Sequence, residues 1–260
     1  MHATYTAASK VAKVTGTFWL IKILSTGMGE TGADYLDHRY APILVVAIAG
    51  VALALSLWWQ FASRGYSATR YWTAVIMVSV FGTLAADAVH VALGIPYWAS
   101  TLVFSLALVA IFALWHRIDS QLAMDQITTR RREFFYWCAV MATFALGTAA
   151  GDWLALGVGF GFLVGAIIFT AGYLIPLLLG RAKALPATLA FWLAYTFTRP
   201  MGASVADWLA LPPARGGLGY GTLNVTLIWL AAILLVLAAT GWKKGPARMG
   251  LSQAARKAGK

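Results

Sequence analysis

Eight long apolar stretches follow one another along the chain, separated by short segments that carry most of the charged residues. They do not alternate apolar and polar residues at every second position, as the strands of a membrane barrel do. Each approaches the roughly 20 apolar residues that an α-helix needs to cross a bilayer. The pattern predicts an all-α polytopic membrane protein with eight transmembrane helices, near residues 14–36, 40–62, 71–93, 97–115, 134–156, 160–179, 186–211 and 219–242.

Composition agrees with a membrane location. The chain has 260 residues, of which 60% are apolar and 11% charged, and its mean hydropathy is +0.74. A soluble domain is nearer half apolar and a quarter charged. We expect one membrane domain over residues 1–260 whose first span is retained, because the polar start with Lys10 and Lys13 does not resemble a signal peptide. The single Cys138 predicts neither a disulfide framework nor a cysteine metal cluster.

The positive charges predict the topology. The net charge is +11, but most Lys and Arg lie between or beyond the apolar stretches, which indicates topology rather than nucleic-acid binding. They collect on one side of the predicted helices, whereas the other side has only Arg39 and Arg215. Both termini are therefore expected in the cytoplasm, with the protein in a plasma (inner) membrane. Residues 243–260 would form a basic cytoplasmic tail.

A four-fold internal repeat is the most specific signal. The four odd-numbered stretches share a tryptophan preceded by an aromatic residue, a glycine ten residues later and an aspartate fifteen residues later. The repeats cover approximately 14–64, 67–117, 132–181 and 186–242, and two spans in each make all four parallel. The shared positions are Trp19, Trp72, Trp137 and Trp192; Gly29, Gly82, Gly147 and Gly202; and Asp34, Asp87, Asp152 and Asp207.

The first repeat carries a family resemblance. Its Phe18-Trp19 pair and the stretch Gly29-Glu30-Thr31-Gly32-Ala33-Asp34 resemble bacterial membrane-anchored proteins built from four tandem two-helix repeats, each with a characteristic tryptophan. The resemblance covers nearly the whole chain and implies the eight-helix arrangement. It implies no biochemical activity, because the function of that family is unassigned.

Helical geometry places the repeat residues on one face. At about 100° per residue, the Trp, the positions seven and eleven residues after it, and the Asp share a polar stripe, beside which the Gly lies. Small residues allow membrane helices to approach closely. We therefore expect the odd helices to form an inner set and the more apolar even helices to face lipid. For the tryptophans, anchoring at the membrane interface and lining a path both stay open.

The acidic residues predict a site for a cation or protons. Glu30 occurs only in the first repeat, and His90 lies near the level of the four aspartates. Intramembrane acids mark ion paths and proton relays, although helix capping is an alternative for the aspartates. Oxygen ligands with an occasional imidazole suit hard divalent ions such as Mn²⁺ or Mg²⁺. The candidate ligands for a proton or metal are Glu30, Asp34, Asp87, Asp152, Asp207 and His90.

Two cations lie inside the predicted spans. Lys22 and Arg199 are expected to pair with carboxylates across the inner bundle. Alternatively, they bind an anionic substrate or act as internal counter-charges when the cation site is empty.

The function predicted from these residues is secondary transport of a small cation, for example a divalent metal such as manganese, coupled to protons through the intramembrane carboxylates. The alternative is a scaffold or partner-binding subunit in which the repeat residues are structural. The sequence has no hydrolase, zinc-protease or phosphate-binding motif, so an enzyme is not expected. The oligomeric state stays open.

Overall fold

The computed structural model describes residues 9–240, and this part of the chain is entirely helical. The basic tail predicted for residues 243–260 lies outside the described residues. Short 3₁₀ turns and one π-helical turn (Trp153–Gly157) join or extend the long helices. The eight long helices are α1 (Gly16–Arg39), α2 (Pro42–Phe61), α3 (Ala68–Leu93), α4 (Tyr97–Ile118), α5 (Arg130–Asp152), α6 (Gly161–Arg181), α7 (Ala187–Ala210) and α8 (Thr222–Ala239).

Local sequence explains where the helices begin and end. Thr15 caps α1 by accepting a hydrogen bond from the Phe18 amide at 3.1 Å. Thr129 caps α5 in the same way through the Arg132 amide. Pro42 occupies the first turn of α2, where its missing N–H removes no helical bond. The chain leaves α3 through Gly94, whose φ of +63° is the left-handed conformation common after helix ends.

Six helices are long and apolar enough to cross a membrane, by length and composition. The remaining two long helices, α1 and α7, do not meet that description because they carry several polar and charged residues. They are instead among the helices with the most buried side chains. The prediction of a helical membrane protein is confirmed. The six candidate spans are Pro42–Phe61, Ala68–His90, Tyr97–Ile118, Arg130–Gly157, Gly161–Arg181 and Thr222–Ala239.

The four odd helices form a closed ring. Helix α1 packs against α3, α3 against α5, α5 against α7, and α7 returns to α1. The expected contact among the odd helices is present, and their order around the ring, which the sequence left open, is the order of the repeats. The end of the ring that carries the tryptophans is called the Trp end below, and the opposite end is called the Asp end.

Each even helix packs against the odd helix of the following repeat. Helix α2 lies on α3, α4 on α5, α6 on α7, and α8 closes the circle by lying on α1. Large apolar side chains of this outer layer are highly exposed, among them Ile43, Trp58 and Leu235. Such an exposed apolar surface is what a lipid-facing layer requires.

The four repeat glycines set the spacing between ring helices. A Cβ on each would strike the residue seven positions after the Trp of the next repeat, in a cycle that closes on itself. The nearest atoms are Ser79 Oγ for Gly29, Phe144 Cβ for Gly82, Arg199 Cγ for Gly147 and Thr26 Oγ1 for Gly202. This arrangement agrees with the predicted packing role of the glycines.

Replacing Gly29 with Ala should destabilise the ring. The new Cβ would lie 1.9 Å from Ser79 Oγ and 3.0 Å from the Ser79 carbonyl carbon, so helices α1 and α3 must separate. We expect a loss of about 1–3 kcal/mol, the usual cost of overpacking, seen as a lower melting temperature in detergent. Gly32→Ala is the matched control on the same helix, since its nearest neighbour would lie 3.4 Å away. Equal melting temperatures for the two variants would contradict the ring packing.

Candidate functional site

Three carboxylates meet at the Asp end of the ring. Oxygen atoms of Glu30, Asp152 and Asp207 all lie within 4.8 Å of one another. They come from α1, the end of α5 and α7, so the ring brings together residues up to 177 positions apart. Glu30 and Asp207 are buried, and Asp152 is partly exposed. We call Glu30, Asp152 and Asp207 the carboxylate triad.

The other two repeat aspartates extend the acidic zone. Asp34 and Asp87 are partly exposed, and both interact electrostatically with Glu30. Asp34 also interacts with Arg215, which lies in the turn between α7 and α8. The structure therefore brings all five predicted acids into one zone, and the partial exposure of three aspartates gives that zone contact with solvent.

The triad sits at a local change of helix type. Helix α5 ends at Asp152 and continues as one π-helical turn, Trp153–Gly157. Such turns often occur at functional sites because they re-aim a side chain. Within the described residues, none of the four repeat aspartates accepts a side-chain hydrogen bond from a backbone amide. Asp207 Oδ1 is buried without a protein partner. The contacts thus give no support to the capping interpretation.

Arg199 lies fully buried beside the triad. Its Nη2 donates to Glu30 Oε2, forming an ion pair, and also to the hydroxyls of Thr83 and Thr148. The Thr83 hydroxyl in turn donates to Glu30 Oε2 at 3.2 Å. The expected pairing of Arg199 with a carboxylate is confirmed.

Repeat symmetry explains the geometry around Arg199. Glu30, Thr83 and Thr148 each lie eleven residues after the Trp of their own repeat, and the fourth repeat has Ala203 at that position. Because Ala203 is small, it leaves space at this level for the side chain of Arg199, whose backbone lies one helical turn nearer the Trp end. One side chain from each ring helix therefore meets at this level.

Lys22 does not pair with a carboxylate. Among residues 9–240 the ion pairs are Lys10–Glu133, Arg132–Asp119 and Arg199–Glu30, and none includes it. Its buried ammonium donates to Thr198 Oγ1 at 3.1 Å and lies 4.1 Å from the centre of the Phe144 ring and 4.4 Å from that of Tyr195. Aromatic faces attract cations through their quadrupoles. The prediction was wrong because Lys22 lies two turns nearer the Trp end than Glu30, at a level lined by aromatic rings.

His90 bonds to the connection that follows its own helix. Its Nδ1 lies 3.0 Å from the Ile95 carbonyl oxygen and its Nε2 lies 3.3 Å from Ser100 Oγ. The ring also packs 4.3 Å from Tyr97. Both nitrogens therefore serve the connection between α3 and α4, and the expectation that His90 ligates an ion is not supported by this geometry. His38 is exposed, and its Nδ1 contacts the Asp34 carbonyl oxygen.

The tryptophans belong to an aromatic layer that fills the Trp end. Each aromatic residue before a Trp contacts the Trp of the next repeat, and the cycle closes from α7 to α1. The ring centroids are 5.8 Å apart for Phe18–Trp72, 5.7 Å for Tyr71–Trp137, 6.0 Å for Tyr136–Trp192 and 5.5 Å for Phe191–Trp19. Trp72, Trp137 and Trp192 are buried, so interfacial anchoring is wrong for these three.

The sequence did not predict a buried cluster of polar residues at the Trp end, which we call the Lys10–Glu133 lock. Lys10 forms an ion pair with Glu133, and Gln60 donates to Glu133 Oε1 at 2.9 Å and to the Lys10 carbonyl at 3.1 Å. The Lys10 amide also donates to the Ile127 carbonyl, and neighbouring Val11 and Ala12 are buried. Lys10 was interpreted only as a topology charge. The available signal was Glu133, an acid at the start of a span beside three arginines.

The long connection between the repeat pairs is also fixed. Arg132 Nε donates to Asp119 Oδ2 at 2.6 Å, and Arg132 Nη1 donates to the Gln126 carbonyl at 2.8 Å. The hydrogen bond from Arg132 lowers the pKa of the Asp119 carboxyl below its ordinary value. The connection therefore holds α4 and α5 together beside the Trp end.

The acidic zone cannot hold its full negative charge unaided. Arg199 compensates Glu30, but carboxylates this close in a buried setting repel one another. Compensation requires protons shared among them or a bound cation. Their hard oxygen ligands suit Mn²⁺ or Mg²⁺ better than a soft metal. The arrangement can thus exchange protons for a cation.

A family model for a "Repeat of Unknown Function (DUF347)" matches the chain four times, at residues 17–66, 70–121, 135–182 and 190–245. These matches cover most of the chain, so the protein belongs to this repeat family. The four-repeat resemblance found in the sequence is confirmed. Comparison with curated proteins and with solved structures gives no significant match.

Replacing Glu30 or Arg199, the two partners of the buried ion pair, should lower the stability of the protein by unequal amounts. Glu30→Gln leaves a guanidinium that cannot lose its proton, and we expect a loss of about 3–5 kcal/mol. Arg199→Met should cost less, because it leaves no buried guanidinium behind and Glu30 still accepts the hydrogen bond from the Thr83 hydroxyl. The double variant should be more stable than Glu30→Gln alone. Thermal unfolding in detergent at neutral pH measures all three, with Asp37→Asn as a control outside the pair. Additive effects would contradict a direct interaction.

Proposed function

We propose that this protein is a secondary transporter that exchanges protons for a small hard cation, with a divalent metal such as Mn²⁺ as the favoured substrate. The observation that carries the proposal is the carboxylate triad, with ligand oxygens of Glu30, Asp152 and Asp207 within 4.8 Å of one another inside a membrane protein. Asp34 and Asp87 would supply further proton or cation contacts towards the Asp end.

The triad has a second feature that supports cation binding. Asp207 is 5% exposed, and its Oδ1 has no protein partner. An unpaired buried carboxylate oxygen is costly unless a proton or a cation satisfies it. Because the same oxygens bind either, uptake of a cation would release protons and thereby couple the two fluxes.

In the proposed topology all eight helices span a bacterial inner membrane and both termini are cytoplasmic. The polar helices α1 and α7 can span because other helices cover them. The excess of Lys and Arg at the connections on the Trp-end side would place that end at the cytoplasm. The triad would then be reached from the periplasmic side.

The two ends of the ring support a transport cycle with alternating access. The aromatic layer and the buried Lys10–Glu133 lock fill the Trp end. Three of the four aspartates at the other end keep some exposure. The structure would then represent a state accessible from the Asp end, and passage would require the aromatic layer to separate.

A scaffold or partner-binding subunit is the second candidate. The observation that favours it is that Arg199 bonds to three other ring helices at once, which is also what a purely structural core would need. In that case the acids would only balance buried charge.

Reconstituted vesicles distinguish the two candidates. We expect Mn²⁺ uptake that depends on an imposed pH gradient and falls at least about tenfold in Asp152→Asn and Asp207→Asn, because each variant removes a ligand charge. Asp125→Asn, an exposed residue at the far end of the molecule, is the control and should transport normally. Wild-type vesicles that carry no divalent-cation flux, with or without a gradient, would contradict the transporter and favour the scaffold.

A further inference from the structure

Glu30 belongs to two arrangements at once. Its carboxylate is paired with Arg199, and one of its oxygens also lies within 4.8 Å of Asp152 and Asp207. A cation held by the triad would therefore lie close to the guanidinium. Two positive charges this close in a buried site repel each other, so full occupation of the triad and the Arg199–Glu30 pair are mutually unfavourable.

Arg199 is incompletely bonded where it lies. Within residues 9–240 its hydrogen bonds all use Nη2, whereas Nε and Nη1 are buried without a protein partner. A purely structural arginine usually satisfies more of its five donors. The one ion pair that Arg199 forms in this part of the chain is with Glu30.

The ring offers Arg199 two groups besides Glu30 and the threonines. The Phe144 ring centre lies 5.7 Å from its Cζ, close enough for a cation–π contact. Ser79, at the level from which Arg199 starts, has a buried hydroxyl without a protein partner. Both residues lie seven positions after the Trp of their repeats, one helical turn nearer the Trp end than Glu30.

We propose that Arg199 is a tethered internal cation that competes with the substrate cation for Glu30. It holds Glu30 when the triad is free and gives up that ion pair when a cation binds. This inference rests on the proposed function, and it makes Arg199 the residue that sets cation affinity. Because arginine stays charged at any physiological pH, this competition does not require a proton.

Calorimetric titration of the full-length protein in detergent with MnCl₂ tests this competition. Arg199→Gln should bind Mn²⁺ at least about tenfold more tightly at pH 8, because the competing positive charge is gone. Thr148→Val removes the 2.8 Å bond that steadies Nη2 while it keeps the charge, and it should raise the affinity severalfold. Arg199→Lys should bind more nearly as the native protein does.

Two results would overturn the proposal, and they differ from failure of the transporter. If the native protein binds Mn²⁺ but Arg199→Gln binds it no more tightly, Arg199 does not compete. If Arg199→Gln does not fold, unchanged affinity in Thr148→Val overturns the proposal in its place. If the native protein and every folded variant fail to bind Mn²⁺, the proposed function and this inference fall together.

Discussion

The buried guanidinium of Arg199 is the constraint on which the architecture depends. An arginine cannot lose its charge inside the protein, so its burial is tolerable only where acceptors surround it. Those acceptors are Glu30 on α1, Thr83 on α3 and Thr148 on α5, while Arg199 itself comes from α7. The four ring helices must therefore meet at one level. The repeat glycines, which lie next to that level on its Trp-end side, allow the ring helices to approach closely. The aromatic layer further towards the Trp end packs the same helices together.

The repeat and its irregularities have different roles. What the four copies share builds the ring: an aromatic pair that contacts the next copy, a glycine that admits the next helix, and an aspartate at the Asp end. The charged side chains that meet inside the ring come from positions at which the copies differ. Glu30 occurs in one copy only, and Ala203 makes room for Arg199 in another. Close packing of small and aromatic residues does not itself call for charges, so we propose that these departures from symmetry serve the function.

Much of the fold was predictable because helical periodicity fixes which residues share a face. The spacing of Trp, Gly and Asp correctly predicted an inner set of odd helices and a lipid-facing outer set. Periodicity does not say which helix lies opposite, so the packing of each even helix on the following repeat could not be foreseen. The sequence predicted a carboxylate partner for both buried cations, and only Arg199 has one. Lys22 lies instead among aromatic rings, and His90 bonds to the connection that follows its own helix. Lys10 and Glu133 were missed because 123 residues separate them in sequence.

The contact of α8 with α1, which joins the last repeat to the first, gives the most direct test of the account, since the acids converge only if the four repeats surround one axis. Thr226 Oγ1 donates to Thr31 Oγ1 at 2.8 Å across this contact. In a Cys138→Ala background, Thr31→Cys with Thr226→Cys should form a disulfide under mild oxidation in native membranes. Thr31→Cys with Ser105→Cys, on the α4 helix that packs against α5, should not. A cross-link in the second pair, or none in the first, would contradict a single closed ring.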